Sequence, residues 1–218
     1  MVAATLLFEG SPSEIAAQES LVYSIARRYG GMKAGAENGI RGYFLTYMIA
    51  YMRDFGMGYQ FIAESFETSC PHERVLELCA GVKKGIVASC AKHGVSRAPF
   101  ISCRVTQLYD TGVCIYFYFG FVWHGLADPV ATFNLVEHDA REDILRLGGS
   151  LSHHHGVGKL RKHWVANTVS EVGVKAMRGV KEAVDPKNVF ANQNIFDTPA
   201  AATQAASAQQ ETKQAEKH

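Results

Sequence analysis

Three adjacent histidines, His153-His154-His155, run directly into Gly156-Val157-Gly158-Lys159, the most chemically loaded stretch of this 218-residue chain. Imidazoles change charge near neutral pH, so such a cluster suits proton transfer and donation to an anionic substrate. On a regular extended backbone His153 and His155 share one side and His154 faces the other, so a strand would not bring all three to one metal, and no metal site is expected. The glycines do not form a nucleotide P-loop: Leu160 stands where Ser or Thr is required, and His153 where the first Gly belongs. The plain alternative is a histidine-bearing turn at a domain edge.

A second candidate group lies in Val113 to Trp123. Alternation puts Val113, Ile115, Phe117, Phe119, Phe121 and Trp123 on one face, which is core, and Cys114, Tyr116, Tyr118, Gly120 and Val122 on the other. The preceding strand, Phe100 to Tyr109, joins it through Asp110-Thr111-Gly112. A two-residue turn at Asp110-Thr111 would carry Val105 to the face of Tyr116. A three-residue loop with Gly112 left-handed is therefore expected, setting Ser102, Arg104 and Thr106 beside Tyr118 and Tyr116. That face either meets water or lines a ligand cavity in which Tyr116 acts as acid or base. Arg53, with Asp54, ends an almost wholly apolar run from Tyr43 to Met52. It either pairs structurally or offers a fixed guanidinium to a phosphate or carboxylate. Arg141, Glu142, Asp143 and Arg146 read as a solvated helix face.

These groups must be held by an α+β fold. The pattern predicts a strand-like run at Val2 to Phe8, and helices from Ser13 to Gly30 and from Gly42 to Phe55. A strand at Tyr59 to Phe66 follows, then a helix opened by Pro71 and carrying Val75, Cys79, Val82, Ile86 and Cys90. After the two long strands, Asp128 as N-cap and Pro129 open a helix ending at Gly148-Gly149, and Ser150 to Ser152 is a short last strand. The order is βαββαβ, a ferredoxin-like antiparallel sheet with flanking helices and a C-terminal helical segment reaching Val184. One domain over 1–196 and a disordered tail over 197–218 are expected. The abrupt start fits a fragment.

A formal charge of +1 supplies no field for nucleic acid. Five cysteines, the nearest pair nine residues apart, read as reduced thiols. The longest apolar run is too short to cross a bilayer as a helix, no secretory signal is seen, and an intracellular chain is expected.

Further stretches carry a resemblance. Gly42-Tyr43-Phe44-Leu45-Thr46-Tyr47, Tyr51-Met52-Arg53-Asp54, Glu64-Ser65-Phe66-Glu67-Thr68-Ser69, Cys103-Arg104-Val105-Thr106-Gln107, Cys114-Ile115-Tyr116-Phe117-Tyr118-Phe119 and Gly149 to Lys162 together resemble the C-terminal half of the alkyldihydroxyacetonephosphate synthase family. That family is similar to the vanillyl-alcohol-oxidase-type flavoproteins. The resemblance implies a cap domain on a ferredoxin-like sheet, with FAD bound mainly by an N-terminal domain absent from this chain. It implies replacement of the acyl group of acyl-dihydroxyacetone phosphate by a long-chain fatty alcohol, forming the ether bond of ether lipids. It implies that the flavin holds the dihydroxyacetone-phosphate unit between the two steps. It assigns Tyr116 as base, Arg53 to the phosphate, and His153, His154 and His155 to polar contacts in the active site. Arg104 and Tyr118 are taken as further substrate-binding residues. Arg104 or a histidine is expected to ease deprotonation of Tyr116. Asp185-Pro186 with Asn192 resembles the closing motif of the larger group, with Gln193 where relatives often have Pro.

A homodimer as full-length enzyme, peripheral contact with membranes and a peroxisomal location follow from the same resemblance, although Glu216-Lys217-His218 is not a Ser-Lys-Leu signal. Two other readings compete. One is a stand-alone, non-catalytic cap module binding lipid phosphate or a protein. The other is a fragment of a hydroxy-acid flavin oxidase, against which the histidine triplet and the Cys-Ile-Tyr-Phe-Tyr-Phe strand argue.

Overall fold

The structure, a computed structural model, describes residues 2–191 and 193–195, so the expected tail at 197–218 and Asn192 lie outside the described residues. The described chain forms two compact units, one ending at Tyr59 and the other beginning at Gln60. In the first unit, α1 (Pro12–Arg28) is followed by α2 (Ala36–Gly58). Glu14 reaches back to accept from the Ser11 N–H at 2.7 Å, which satisfies one of the orphan donors at the start of α1. The run from residue 2 to residue 9 is not a strand; it has no ladder partner.

The second unit holds β1 (Phe61–Pro71), α3 (Val75–Lys92), β2 (Phe100–Leu108), β3 (Gly112–Val122), α4 (Pro129–Arg146) and α5 (Val165–Val184). The strands pair antiparallel in the order β1-β3-β2. Phe66, Ile115, Phe117, Phe119 and Phe121 leave one face of the sheet and pack against Leu78, Val82 and Ile86 of α3 and Phe133, Val136, Ala140 and Ile144 of α4. Phe119 and Phe133 stack with centroids 4.3 Å apart. The period-two and period-three-to-four patterns therefore meet in one core, as an α+β layer arrangement requires. Asp128 caps α4 by accepting from the Ala131 N–H at 2.9 Å, with Pro129 first in the helix.

Three local expectations are corrected. Pro71 ends β1 instead of opening a helix, and a short 3₁₀ turn, His72–Arg74, stands between it and α3. Ser150–Ser152 is not a fourth strand. The segment lies along β1 through side chains: the Ser150 N–H donates to the Ser69 carbonyl, but Thr68 Oγ1 donates to the Ser150 carbonyl and Ser150 Oγ accepts from the Ser69 N–H. Hydroxyls have taken the places of ladder groups, so no regular pairing propagates.

The hairpin is the third. Val105 pairs Ile115, Cys103 pairs Phe117 and Arg104 pairs Tyr116, so odd positions face odd as expected, but by a different device. Leu108 pairs Val113 and Gln107 pairs Cys114, which is the register of a two-residue turn at Asp110-Thr111; a bulge at Thr106 then shifts the strand by one residue. Gly112 is not left-handed. Its need is space: a Cβ there would stand 2.4 Å from the Cys70 carbonyl oxygen across the ladder.

Candidate active site

On the face of the sheet away from α3 and α4, the ladder sets Tyr116 between Glu67 of β1 and Arg104 of β2, and Tyr118 between Ser65 and Ser102. Arg104 lies over both rings, 5.8 Å from the Tyr116 centroid and 5.5 Å from that of Tyr118. Alternation along each strand, with the bulge at Thr106 setting the register of β2, places these side chains on one face.

Glu67 organises the site, and sequence reasoning missed it. Its side chain is fully buried. Its carboxylate accepts from the Ser152 hydroxyl and from three successive backbone amides, those of His153 at 2.6 Å, His154 at 3.4 Å and His155 at 3.2 Å. Burial by itself would raise the Glu67 carboxyl, yet the Ser152 hydroxyl and the three amides hold it below the usual carboxylate range. Three N–H groups can converge on one carboxylate only if the backbone bends, so the triplet is not extended and its rings do not alternate.

Instead the Tyr116 hydroxyl stands 2.7 Å from His154 Nε2 and 3.0 Å from His155 Nε2. His154 Nδ1 in turn lies 2.9 Å from His153 Nδ1. The His153 ring packs against Tyr109 at a centroid distance of 5.4 Å. Of the two donor assignments that satisfy these three contacts, one has Tyr116 O–H donating to His154 Nε2, His154 Nδ1–H to His153 Nδ1, and His155 Nε2–H to the tyrosine oxygen. The other runs the reverse way, from His153 through His154 and Tyr116 to His155 Nε2, with His155 Nδ1 facing Glu67 Oε1 at 3.5 Å.

Burial, then the charge of Glu67, then neighbouring Cys114 and Tyr118 raise the Tyr116 hydroxyl above its ordinary value, against the opposing pull of Arg104. Arg104 pulls the Tyr116 hydroxyl down, the direction expected of it, but burial and Glu67 outweigh that pull, so no tyrosinate stands ready. The His155 ring is pushed down by burial, with His154, Arg161 and Arg141 adding to this and Glu67 opposing, which keeps it neutral near pH 7. Burial also raises Tyr118, with Arg104 opposing.

Arg141 is a second residue that pattern reading misplaced. It is 2 % exposed, not part of a solvated face. Its guanidinium bonds Glu137 one turn away at 2.7 and 3.1 Å, donates to the Leu151 carbonyl at 3.0 Å, and sits over the Phe66 ring. It ties α4 to the segment that delivers the triplet. Glu142 likewise accepts from Trp164 Nε1 at 2.6 Å. Arg53 belongs to the other unit, in α2, with its Nε 3.7 Å from Asp54 Oδ1.

The arrangement is a hydroxyl with a ready proton acceptor on one side and an N–H donor on the other. It can take a proton from a carbon acid as it passes its own proton to an imidazole.

Residues 2–195 match the family model described as FAD linked oxidases, C-terminal domain. The chain is 44% identical over 195 residues to the Caenorhabditis elegans alkyldihydroxyacetonephosphate synthase, covering 89% of this chain and 33% of that protein. It is 30% identical to the Trypanosoma brucei brucei enzyme of the same name, covering 88% of this chain and 31% of that protein. A solved alkyldihydroxyacetonephosphate synthase superimposes with a TM-score of 0.57 at 22% identity, over 83% of this chain and 29% of its own, which shows the likeness of fold. The chain spans about a third of the length of these curated relatives, and across residues 2–195 it belongs to the FAD linked oxidase C-terminal domain family.

Proposed function

We propose that this chain is the substrate-handling part of an alkyldihydroxyacetonephosphate synthase, which exchanges the acyl group of acyl-dihydroxyacetone phosphate for a long-chain fatty alcohol. The observation that carries the reading is the Tyr116 hydroxyl held between His154 and His155, on a chain 44% identical to a relative of that name.

The first requirement of acyl loss is removal of a proton from the carbon bearing the ester. Tyr116 oxygen takes that proton while its own moves to His154 Nε2, and the His154 Nδ1 proton is free to pass to His153. No tyrosinate is needed beforehand, which agrees with its raised pKa. His155 Nε2–H holds the tyrosine oxygen in place and stabilises charge that develops there. When the alcohol enters, the same relay run backwards returns a proton. Arg53, Arg104 and Tyr118 are the proposed phosphate and substrate contacts, the guanidinium forks being suited to phosphate oxygens.

The donor set fits a flavin presented from outside the second unit, because His154 and His155 are exposed and their Nε2 atoms meet Tyr116 at an open face. FAD, when bound, would supply an electrophilic centre for the carbon that loses its proton. Its binding by a region N-terminal to this one, a homodimer and a peroxisomal location belong to the same proposal. Among the described residues no helix is long and apolar enough to cross a membrane.

The test joins this chain to the flavin-binding region of a relative and supplies acyl-dihydroxyacetone phosphate with isotopically labelled hexadecanol. The expected result is labelled alkyl-dihydroxyacetone phosphate with release of the fatty acid. Oxidation of a 2-hydroxy acid with no ether product would overturn the reading.

A further inference from the structure

Beneath the tyrosine and its imidazoles, four side chains of different chemistry converge. The Glu67 carboxylate, Cys114 Sγ and one ring nitrogen each from His153 and His154 lie within 4.8 Å of one another. Glu67 and Cys114 are buried, His153 is half-buried and His154 exposed, so the donors form a floor and walls with one open side. Two imidazoles, a thiolate and a carboxylate make a donor set that selects borderline-soft divalent ions over magnesium or calcium. The set is pre-arranged. Glu67 is pinned by Ser152 and the triplet amides, and Cys114 is held in the central strand. The bend that Glu67 imposes is what brings His153 and His154 Nδ1 to 2.9 Å, a separation that two ligands of a single ion can share.

We propose that Glu67, Cys114, His153 and His154 form a binding site for a divalent cation of the zinc class. Binding replaces the Nδ1-to-Nδ1 hydrogen bond with two metal–nitrogen bonds, one metal–sulfur bond and one metal–oxygen bond to Glu67. The Cys114 thiol gives its proton to solvent. The proton between the two Nδ1 atoms moves to an Nε2, leaving both rings neutral. His154 then carries Nε2–H and no longer accepts from Tyr116. Metal occupancy thus takes His154 out of the proposed relay, a consequence that rests on the proposed function, whereas the site itself does not.

The probe is Co²⁺ added to the 218-residue chain. The expected spectrum shows about one equivalent bound, with a thiolate-to-cobalt band in the near ultraviolet and tetrahedral bands in the visible, all bleached by Zn²⁺. Cys114→Ser should abolish the near-ultraviolet band, Cys79→Ser should leave it, and His153→Ala, at a half-buried position, should weaken binding about tenfold or more with the fold intact by circular dichroism. Nitrogen-15 spectra with Zn²⁺ should show His154 protonated at Nε2. No band at about 1 mM Co²⁺, a band that survives Cys114→Ser, or unchanged affinity in His153→Ala would overturn the site. If Cys114→Ser fails to fold, the His153→Ala result decides. A bound ion with His154 Nε2 still unprotonated would overturn the antagonism alone. None of these outcomes depends on ether synthesis, so they are separable from failure of the functional reading.

Discussion

Glu67 is the residue on which the site depends, and its behaviour with pH is predictable. Its carboxyl sits below the usual range in the folded chain because four donors converge on the charged form. A depressed folded value means that the stabilisation is present above the unfolded carboxylate pKa, about 4.3, and is lost as pH falls through the folded value. Glu67→Gln turns one acceptor oxygen into a donor that faces N–H groups, and should cost about 1.5 to 3 kcal/mol at pH 7. In denaturant titrations between pH 7 and pH 3 the gap from the parent should narrow below about pH 4. A gap that stays constant across that window would mean that the charge of Glu67 does not hold the triplet. The histidine triplet stood out in the sequence because imidazoles change charge near neutral pH, and Tyr116 because alternation puts it on the polar face of its strand. Glu67 was not, since a glutamate within Glu64-Ser65-Phe66-Glu67-Thr68-Ser69 looks like the wet side of an edge strand. The available signal was its register: alternation puts it opposite Phe66, on the same sheet face as Tyr116.

At the scale of elements, two close approaches are open to test. Gly112 has no unusual dihedral, so a backbone argument would let Ala replace it freely, whereas its approach to the Cys70 carbonyl forbids a methyl. Gly112→Ala should lower stability by about 1 to 3 kcal/mol. A melting temperature equal to that of the parent would show that the hairpin end yields without cost. Arg141 joins α4 to Leu151, and Arg141→Met keeps the packing on Phe66 but removes the anchor and leaves Glu137 without its partner. Stability should fall by about 2 kcal/mol or more, and the amides of residues 152–155 should exchange hydrogen faster than those of β3. Equal exchange would remove Arg141 from the positioning role. The face assignment of the hairpin was readable because one wrong register would have buried polar groups, yet the means of reaching it was not. Turn and bulge compensate each other, and only the parity of their sum shows in the hydrophobic pattern. The fourth strand was over-read for a related reason: Ser150 and Thr68 make the contacts of a strand through hydroxyls, which no periodicity records. The Asp128-Pro129 start of α4 was legible because cap and first-turn chemistry are local.

For the whole molecule, the reading as one part of a larger flavoenzyme makes a claim about the isolated chain. Purified alone, the 218 residues should not retain stoichiometric flavin, and a flavin absorption band at one cofactor per chain would contradict the division of labour proposed above. The central claim is that Tyr116, served by His154, moves the proton whose loss begins the exchange. The most direct measurement is solvent-hydrogen exchange at the ester-bearing carbon of acyl-dihydroxyacetone phosphate, made in the flavin-loaded joined protein and in its Tyr116→Phe variant at equal flavin content. The account predicts that Tyr116→Phe slows this exchange by about a hundredfold or more, with flavin binding unchanged. Exchange within about threefold of the parent would contradict it and leave the tyrosine as a packing residue of a polar sheet face.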